Sequence, residues 1–208
     1  TGSRHIEYNP DDRFSLSSSY VTCSFVDSNE GVWLGTKDSG VNWSGIAQMN
    51  FEKYYTASGI SLEGCIVSGF CEESPTKVWV STEQAGFLLW NPVNATVERV
   101  KIPGIPRTVC SPCIDGNSLW FGSLSGVYKL DTKTLALKPY GGIMRDSGRK
   151  DQKVYLVYKT KKGDIYAGTT LGLSRYNKEK DCFEDVKSID GVFVTSIAED
   201  AEGNMWLS

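Results

Sequence analysis

Few residues in this chain have the type and spacing for catalysis. The single histidine, His5, falls on a short terminal strand. Nucleophilic relays need an imidazole held rigidly between a nucleophile and an orienting group, so His5 reads as structural or solvent-facing. Cys110-Ser-Pro-Cys113 has the spacing of a redox or zinc pair. It lies in an apolar run that reads as a strand, where residues three apart face opposite sides. No further ligands stand at zinc spacing, so both cysteines are expected in the core. The six cysteines leave the redox compartment open. Asp27, Asp115 and Asp200 fall in separate stretches rather than in one calcium loop. They suit turns in which a carboxylate accepts backbone N–H groups two residues on. No catalytic residue, metal ligand or cofactor is expected.

Binding chemistry is better represented. Flat aromatic faces suit pyranose rings, and the chain has six tryptophans. Trp33, Trp79, Trp120 and Trp206 recur in register and are expected in the core. Trp43 and Trp90 are less regular, each on a strand following one of these, and are candidate ligand contacts. The longest connecting loop runs from Pro139 to Gln152. Loops on a rigid scaffold often carry function. Tyr140 offers a stacking ring there, and Arg145 and Arg149 offer guanidinium forks for hydroxyls or uronic carboxylates.

These residues must be positioned by strands. Among 208 residues, Val, Thr and aromatics are punctuated by 21 glycines, a β-leaning composition. No window keeps a 3.6-residue apolar period, and none approaches the roughly 18 apolar residues of a membrane helix. Net charge is −3 with pI 5.3, leaving no footprint for nucleic acid. The one basic patch, Arg145 to Lys150 with Lys153, is short and mixed with acids. The start at Thr1-Gly-Ser suggests an excised or processed segment.

The dominant signal is repetition. Trp33, Trp79, Trp120, Tyr166 and Trp206 are separated by 46, 41, 46 and 40 residues. A valine precedes the aromatic by 12 residues in four copies (Val21, Val67, Val154, Val194) and by 11 in the third (Val109). A glycine follows by 7, 7, 6 and 6 residues: Gly40, Gly86, Gly126 and Gly172. Each unit reads as four strands. The first is Val-x-x-x-apolar, whose positions 1 and 5 share a face by the period of two. Its turn is best seen in Asp200-Ala-Glu-Gly203, and its second strand in Val32-Trp-Leu-Gly-Thr36. The third opens on the aligned glycine. The fourth is weaker and more polar, as an edge strand should be.

Units of this length with four antiparallel strands are propeller blades. The expected fold is all-β: complete blades at 20–55, 66–101, 108–140 and 153–187, with partial blades at 4–8 and 193–208. The segment at 4–8 would be a lone fourth strand, and Trp206 would lack a third strand to cover it. A fragment of a larger, seven-bladed propeller is favoured over a self-closed ring with one defective blade.

Val194 to Ser208 and Lys162 to Asn177 together spell Val-x-x-Ile-x-x-Asp-x-x-Gly-x-x-Trp-Leu, then Gly-Thr, Gly-Leu and Arg-Tyr-Asn. This pattern resembles the two-component regulator propeller repeat and lacks the Gly-His and Trp-Asp pairs of WD40 blades. Departures are Thr160 at the turn aspartate and Glu83-Gln-Ala before the second blade's glycine. The resemblance implies the periplasmic sensor region of a hybrid two-component system from a polysaccharide-degrading bacterium. There, two seven-bladed propellers precede an immunoglobulin-like domain, a membrane helix, a histidine kinase and response-regulator modules. It also implies an oligosaccharide ligand, partner blades elsewhere in the parent ectodomain, and no enzyme activity. A homodimer is a further partner to consider. The rival readings are a structural scaffold that only mediates dimerisation, and a propeller lyase or glycosidase.

Overall fold

A computed structural model describes residues 5–45, 50–57, 59–144, 148, 150–151 and 153–208, without the side chains of 56, 57, 144 and 151. No helix occurs among them. They fall into two compact units, Thr1–Val100 and Lys101–Ser208.

The first unit contains two four-stranded antiparallel sheets. One is β1 (Val21–Val26), β2 (Gly31–Thr36), β3 (Val41–Gly45) and β4 (Glu52–Tyr54), in that order. A small hairpin follows, β5 (Thr56–Ala57) and β6 (Ile60–Ser61). The second sheet is β7 (Val67–Ser74), β8 (Lys77–Thr82), β9 (Gly86–Asn91) and β10 (Thr96–Arg99). Residues 5–7 lie outside any strand, and Tyr8 makes only one parallel bridge, to Leu16. The fourth strand expected at 4–8 is therefore not formed by the described residues 5–8. The Ser15 hydroxyl ties the next turn, lying 2.7 and 2.8 Å from the Asn9 and Asp12 carbonyl oxygens that can accept its proton.

The second unit repeats the plan. One sheet is β11 (Cys110–Asp115), β12 (Ser118–Ser123), β13 (Gly126–Asp131) and β14 (Leu137–Gly141). A short pair, β15 (Ile143–Met144) and β16 (Lys150–Asp151), precedes the sheet β17 (Val154–Lys159), β18 (Ile165–Thr169), β19 (Gly172–Asn177) and β20 (Cys182–Asp190). The last sheet has two strands, β21 (Ile197–Glu199) and β22 (Met205–Leu207). Trp206 on β22 is 66% exposed, whereas Trp33, Trp79 and Trp120 are at most 2% exposed. Its expected place in a core is thus not realised here, because no third strand covers β22 among the described residues.

The repeat motif has a physical reason at each position. Its Gly-Thr glycine admits the next sheet's valine. A Cβ on Gly35 would stand 2.7 Å from Val67 Cγ1, and one on Gly122 would stand 2.3 Å from the Val154 carbonyl oxygen. The following hydroxyl closes the hairpin to the third strand. Thr36, Thr82, Ser123 and Thr169 donate to the carbonyls of Gly40, Gly86, Gly126 and Gly172 at 2.9–3.1 Å. Gly126 itself cannot be another residue: φ is 125°, and a Cβ would fall 1.8 Å from the Gly141 oxygen.

One expectation about facing fails for a common cause. A bulge lies in the first strand of all four complete blades, so Val67 pairs with Thr82 but Cys71 with Trp79, an odd separation. The extra residue sends positions 1 and 5 to opposite faces. Both are nonetheless buried in β7. In β1, Val21 is 44% exposed. The bulge in β11, with Ser111 left-handed at φ 39°, places Cys110 against Gly122 and Cys113 against Trp120. Gly122 and Trp120 share one face of β12, so these cysteines do not face opposite ways. No disulfide joins any of the six cysteines.

Candidate functional site

The turn aspartate does more than turn. Asp27 is buried, and its Oδ1 accepts the N–H groups of Asn29 and Gly31 at 2.9 and 2.7 Å. Its Oδ2 accepts the Trp33 indole N–H at 2.7 Å. Glu73 and Asp200 accept the indoles of Trp79 and Trp206 at 2.7 and 3.1 Å. Thr160 is then no defect. Its blade carries Tyr166 instead of tryptophan and offers no indole, and the Thr160 hydroxyl accepts the Asp164 N–H at 3.0 Å. In the third blade the shorter turn sends Asp115 to Lys159 Nζ at 3.0 Å, leaving the buried Trp120 N–H without a partner among the described residues.

The clamped Trp33 in the first unit and the unclamped Trp120 in the second each anchor an aromatic seam. In the first, the Trp33 ring meets Trp43 at 6.4 Å and Trp90 at 5.3 Å, and Tyr54 meets Trp90 at 4.7 Å. Interplanar angles of 66°, 84° and 85° make these edge-on contacts, the arrangement favoured by aromatic quadrupoles. The rings leave a cavity of 140 Å³ lined by Trp33, Trp43, Glu52, Tyr54, Trp90, Pro92 and Ala95. A groove of 370 Å³ shares Glu52 and Tyr54 with it and continues over Arg13, Phe14, Phe51 and Lys53. The Tyr54 hydroxyl donates to Glu52 at 2.6 Å. Burial first, and Glu52 second, push that phenol well above its ordinary range, so Tyr54 remains neutral.

In the second unit, Trp120 stacks on Tyr140 at 5.3 Å and meets Tyr176 at 4.7 Å and Phe183 at 6.0 Å. The Tyr140 and Tyr176 hydroxyls donate to Asp181 Oδ1 at 2.8 and 2.6 Å, and Lys138 pairs with Asp181 Oδ2. The Lys138 ammonium and the two hydroxyls hold the Asp181 carboxyl well below the usual range. Burial, more than its neighbours, pushes Tyr140 up to about 12.

Of the residues expected at a site, Trp43 and Trp90 therefore line one cavity, although Trp90 is only 1% exposed. Tyr140 is half-buried in the other seam, and Arg145 and Arg149 lie outside the described residues. Sequence reading missed Glu52, Tyr54 and Asp181. Their signal was the cross-strand register, in which Glu52 stands opposite Trp43.

Sheets of four antiparallel strands repeating the hydroxyl-closed hairpin define a β-propeller. Residues 15–38 and 188–208 match the model of the two-component regulator propeller family. No curated protein sequence matches the chain. Among solved structures, it is similar to the extracellular domain of a putative hybrid two-component system from B. thetaiotaomicron, with TM-score 0.79 and 18% identity over 98% of this chain and 28% of that one. A second such domain from B. thetaiotaomicron matches with TM-score 0.76 and 22% identity, over 98% of this chain and 26% of its own. The chain thus spans about a quarter of those domains. The WD40 propeller domain of Doa1 matches with TM-score 0.65 and 16% identity, over 87% of this chain and 58% of that domain, a likeness of fold.

Proposed function

We propose that this chain is a ligand-sensing segment in the periplasmic ectodomain of a hybrid two-component sensor. It recognises an oligosaccharide derived from a polysaccharide, and further blades of the parent ectodomain relay the event to a histidine kinase. It binds without catalysing a reaction. The repeat family and the resemblance to sensor ectodomains support the role. The observation that carries ligand recognition is the cavity beside Trp43 and Trp90, where aromatic walls meet Glu52 and an open groove. Tyr140, Arg145 and Arg149 form a second candidate contact region.

Calorimetric titration of an oligosaccharide panel against this chain and against the full ectodomain tests the reading. Saturable binding to both, without turnover, is expected. Binding to the ectodomain alone would remove recognition from this segment, and released sugar products would make it an enzyme. The depth of Trp90 and the recurrence of an aromatic seam in the second unit favour one rival, a scaffold whose seams only join blades. That reading predicts no binding at all and an oligomer held through other surfaces.

A further inference from the structure

The two seams correspond position by position through strand register. Trp33, Trp43 and Glu52 stand in line across β2, β3 and β4. Trp120, Lys129 and Lys138 stand in the same line across β12, β13 and β14. Tyr54 and Tyr140 lie two residues further along the fourth strands. Trp90 and Tyr176 are the penultimate residues of β9 and β19. Ala95 and Asp181 are both left-handed, at φ 52° and 51°, and each directly precedes its fourth strand.

The chemistry at these matched positions is inverted. In the second unit the chain supplies its own cations: Lys129 Nζ lies 5.1 Å from the centre of the Trp120 ring, and Lys138 Nζ lies 4.8 Å from that of Tyr140. Lys138 is also paired with Asp181. An ammonium over an aromatic face is attracted by the ring quadrupole, and a carboxylate beside it adds to the attraction. In the first unit, Trp43 replaces Lys129, Glu52 replaces Lys138 and Ala95 replaces Asp181. The ammonium groups are gone, the carboxylate has moved to the fourth strand, and the 140 Å³ cavity opens between the rings. Every residue lining it except Glu52 is uncharged, and Glu52 keeps one oxygen beyond the one that accepts from Tyr54.

We propose that the first unit's seam binds the ammonium group of an external ligand, seated against Trp33, Trp43, Tyr54 and Trp90 and neutralised by Glu52. The volume is well below the ~300–1,000 Å³ of sites for drug-sized molecules, so the cavity takes a head group, with the rest of the ligand in the adjoining groove. The group is either a quaternary ammonium or the free amine of an amino sugar. This inference uses the site proposed above but not the proposal that the ligand is an oligosaccharide.

The test follows the indole N–H resonances of Trp33, Trp43 and Trp90 at constant ionic strength. Choline is compared with 3,3-dimethylbutan-1-ol, its uncharged carbon isostere, and glucosamine with glucose. At least one ammonium compound should give saturable shifts, with its neutral counterpart about 10-fold weaker. Choline alone, glucosamine alone, or both would say which source of ammonium the seam accepts. Glu52→Gln should weaken binding about 5-fold, and Glu52→Lys should abolish it by seating the chain's own ammonium as in the second unit. Glu52 is exposed, and an unchanged far-UV spectrum verifies that both variants fold. Equal binding of charged and neutral compounds, no saturable shift, or undiminished binding by Glu52→Lys would overturn the inference. A neutral glucan that binds with no preference for ammonium would overturn it while sustaining the oligosaccharide reading. Ammonium binding without any response to oligosaccharides would do the reverse.

Discussion

Asp27→Ala should destabilise the first blade far more than its surface turn suggests. The substitution removes one carboxylate that satisfies three donors, two of them buried: the Gly31 N–H at 2.7 Å and the Trp33 indole at 2.7 Å. The third, Asn29 N–H, is partly exposed and can turn to water. Leaving a buried donor unsatisfied costs about 1–3 kcal/mol, so two cost about 2–6 kcal/mol. Asp200→Ala is the internal control. It removes the same kind of bond to Trp206, but Trp206 is 66% exposed and water takes the place of the carboxylate. Its cost should stay below about 1 kcal/mol. Urea unfolding by tryptophan fluorescence gives the stabilities, and amide exchange along β1–β4 localises the loss. The two units need not unfold together, so the exchange measurement decides. A loss below about 1 kcal/mol for Asp27→Ala, or equal losses for the two variants, would refute the clamp as the anchor of the seam.

Other consequences concern the backbone and acid. Gly126→Ala should prevent the third blade from folding, since its Cβ would overlap the Gly141 oxygen at 1.8 Å; recovery of folded protein with native β-sheet circular dichroism would show that this approach is dispensable. Glu30 holds the left-handed turn position at φ 60° that glycine fills at Gly163 and Gly203. Glu30→Gly should therefore stabilise by about 0.5–1 kcal/mol, read as a raised urea midpoint. Asp181 is depressed in the folded state by Lys138, Tyr176 and Tyr140. Its contribution is present above the unfolded carboxyl range, near pH 4, and is lost as pH falls below it. Asp181→Asn should flatten the fall in stability between about pH 4 and pH 2, and an unchanged profile would count against the network.

The repeat was legible because each motif residue answers a local demand. Valine meets the neighbouring sheet's glycine, the hydroxyl closes a hairpin, and the carboxylate holds an indole. Such demands recur at fixed spacing, and so they surface as sequence periodicity. Thr160 departs from the turn aspartate because the aromatic of its blade, Tyr166, has no indole to hold. The bulges were not legible. An extra residue within an apolar strand leaves no compositional mark, yet it inverted the facing of Val67 and Cys71 and of the cysteine pair. The candidate site was half legible. Trp43 and Trp90 stood out by type, but their meeting depends on two different blades. Glu52 and Ala95 acquire meaning only beside Lys138 and Asp181, once the registers of two sheets are compared.

The central claim is that this segment recognises ligand at the seam of Trp33, Trp43 and Trp90. The most direct measurement assigns the six indole N–H resonances and titrates the tightest-binding oligosaccharide of the panel. The account predicts saturable shifts at Trp33, Trp43 and Trp90, with Trp79 unmoved because its ring packs on Phe87. Shifts confined to Trp120, or none at saturating ligand, would contradict it.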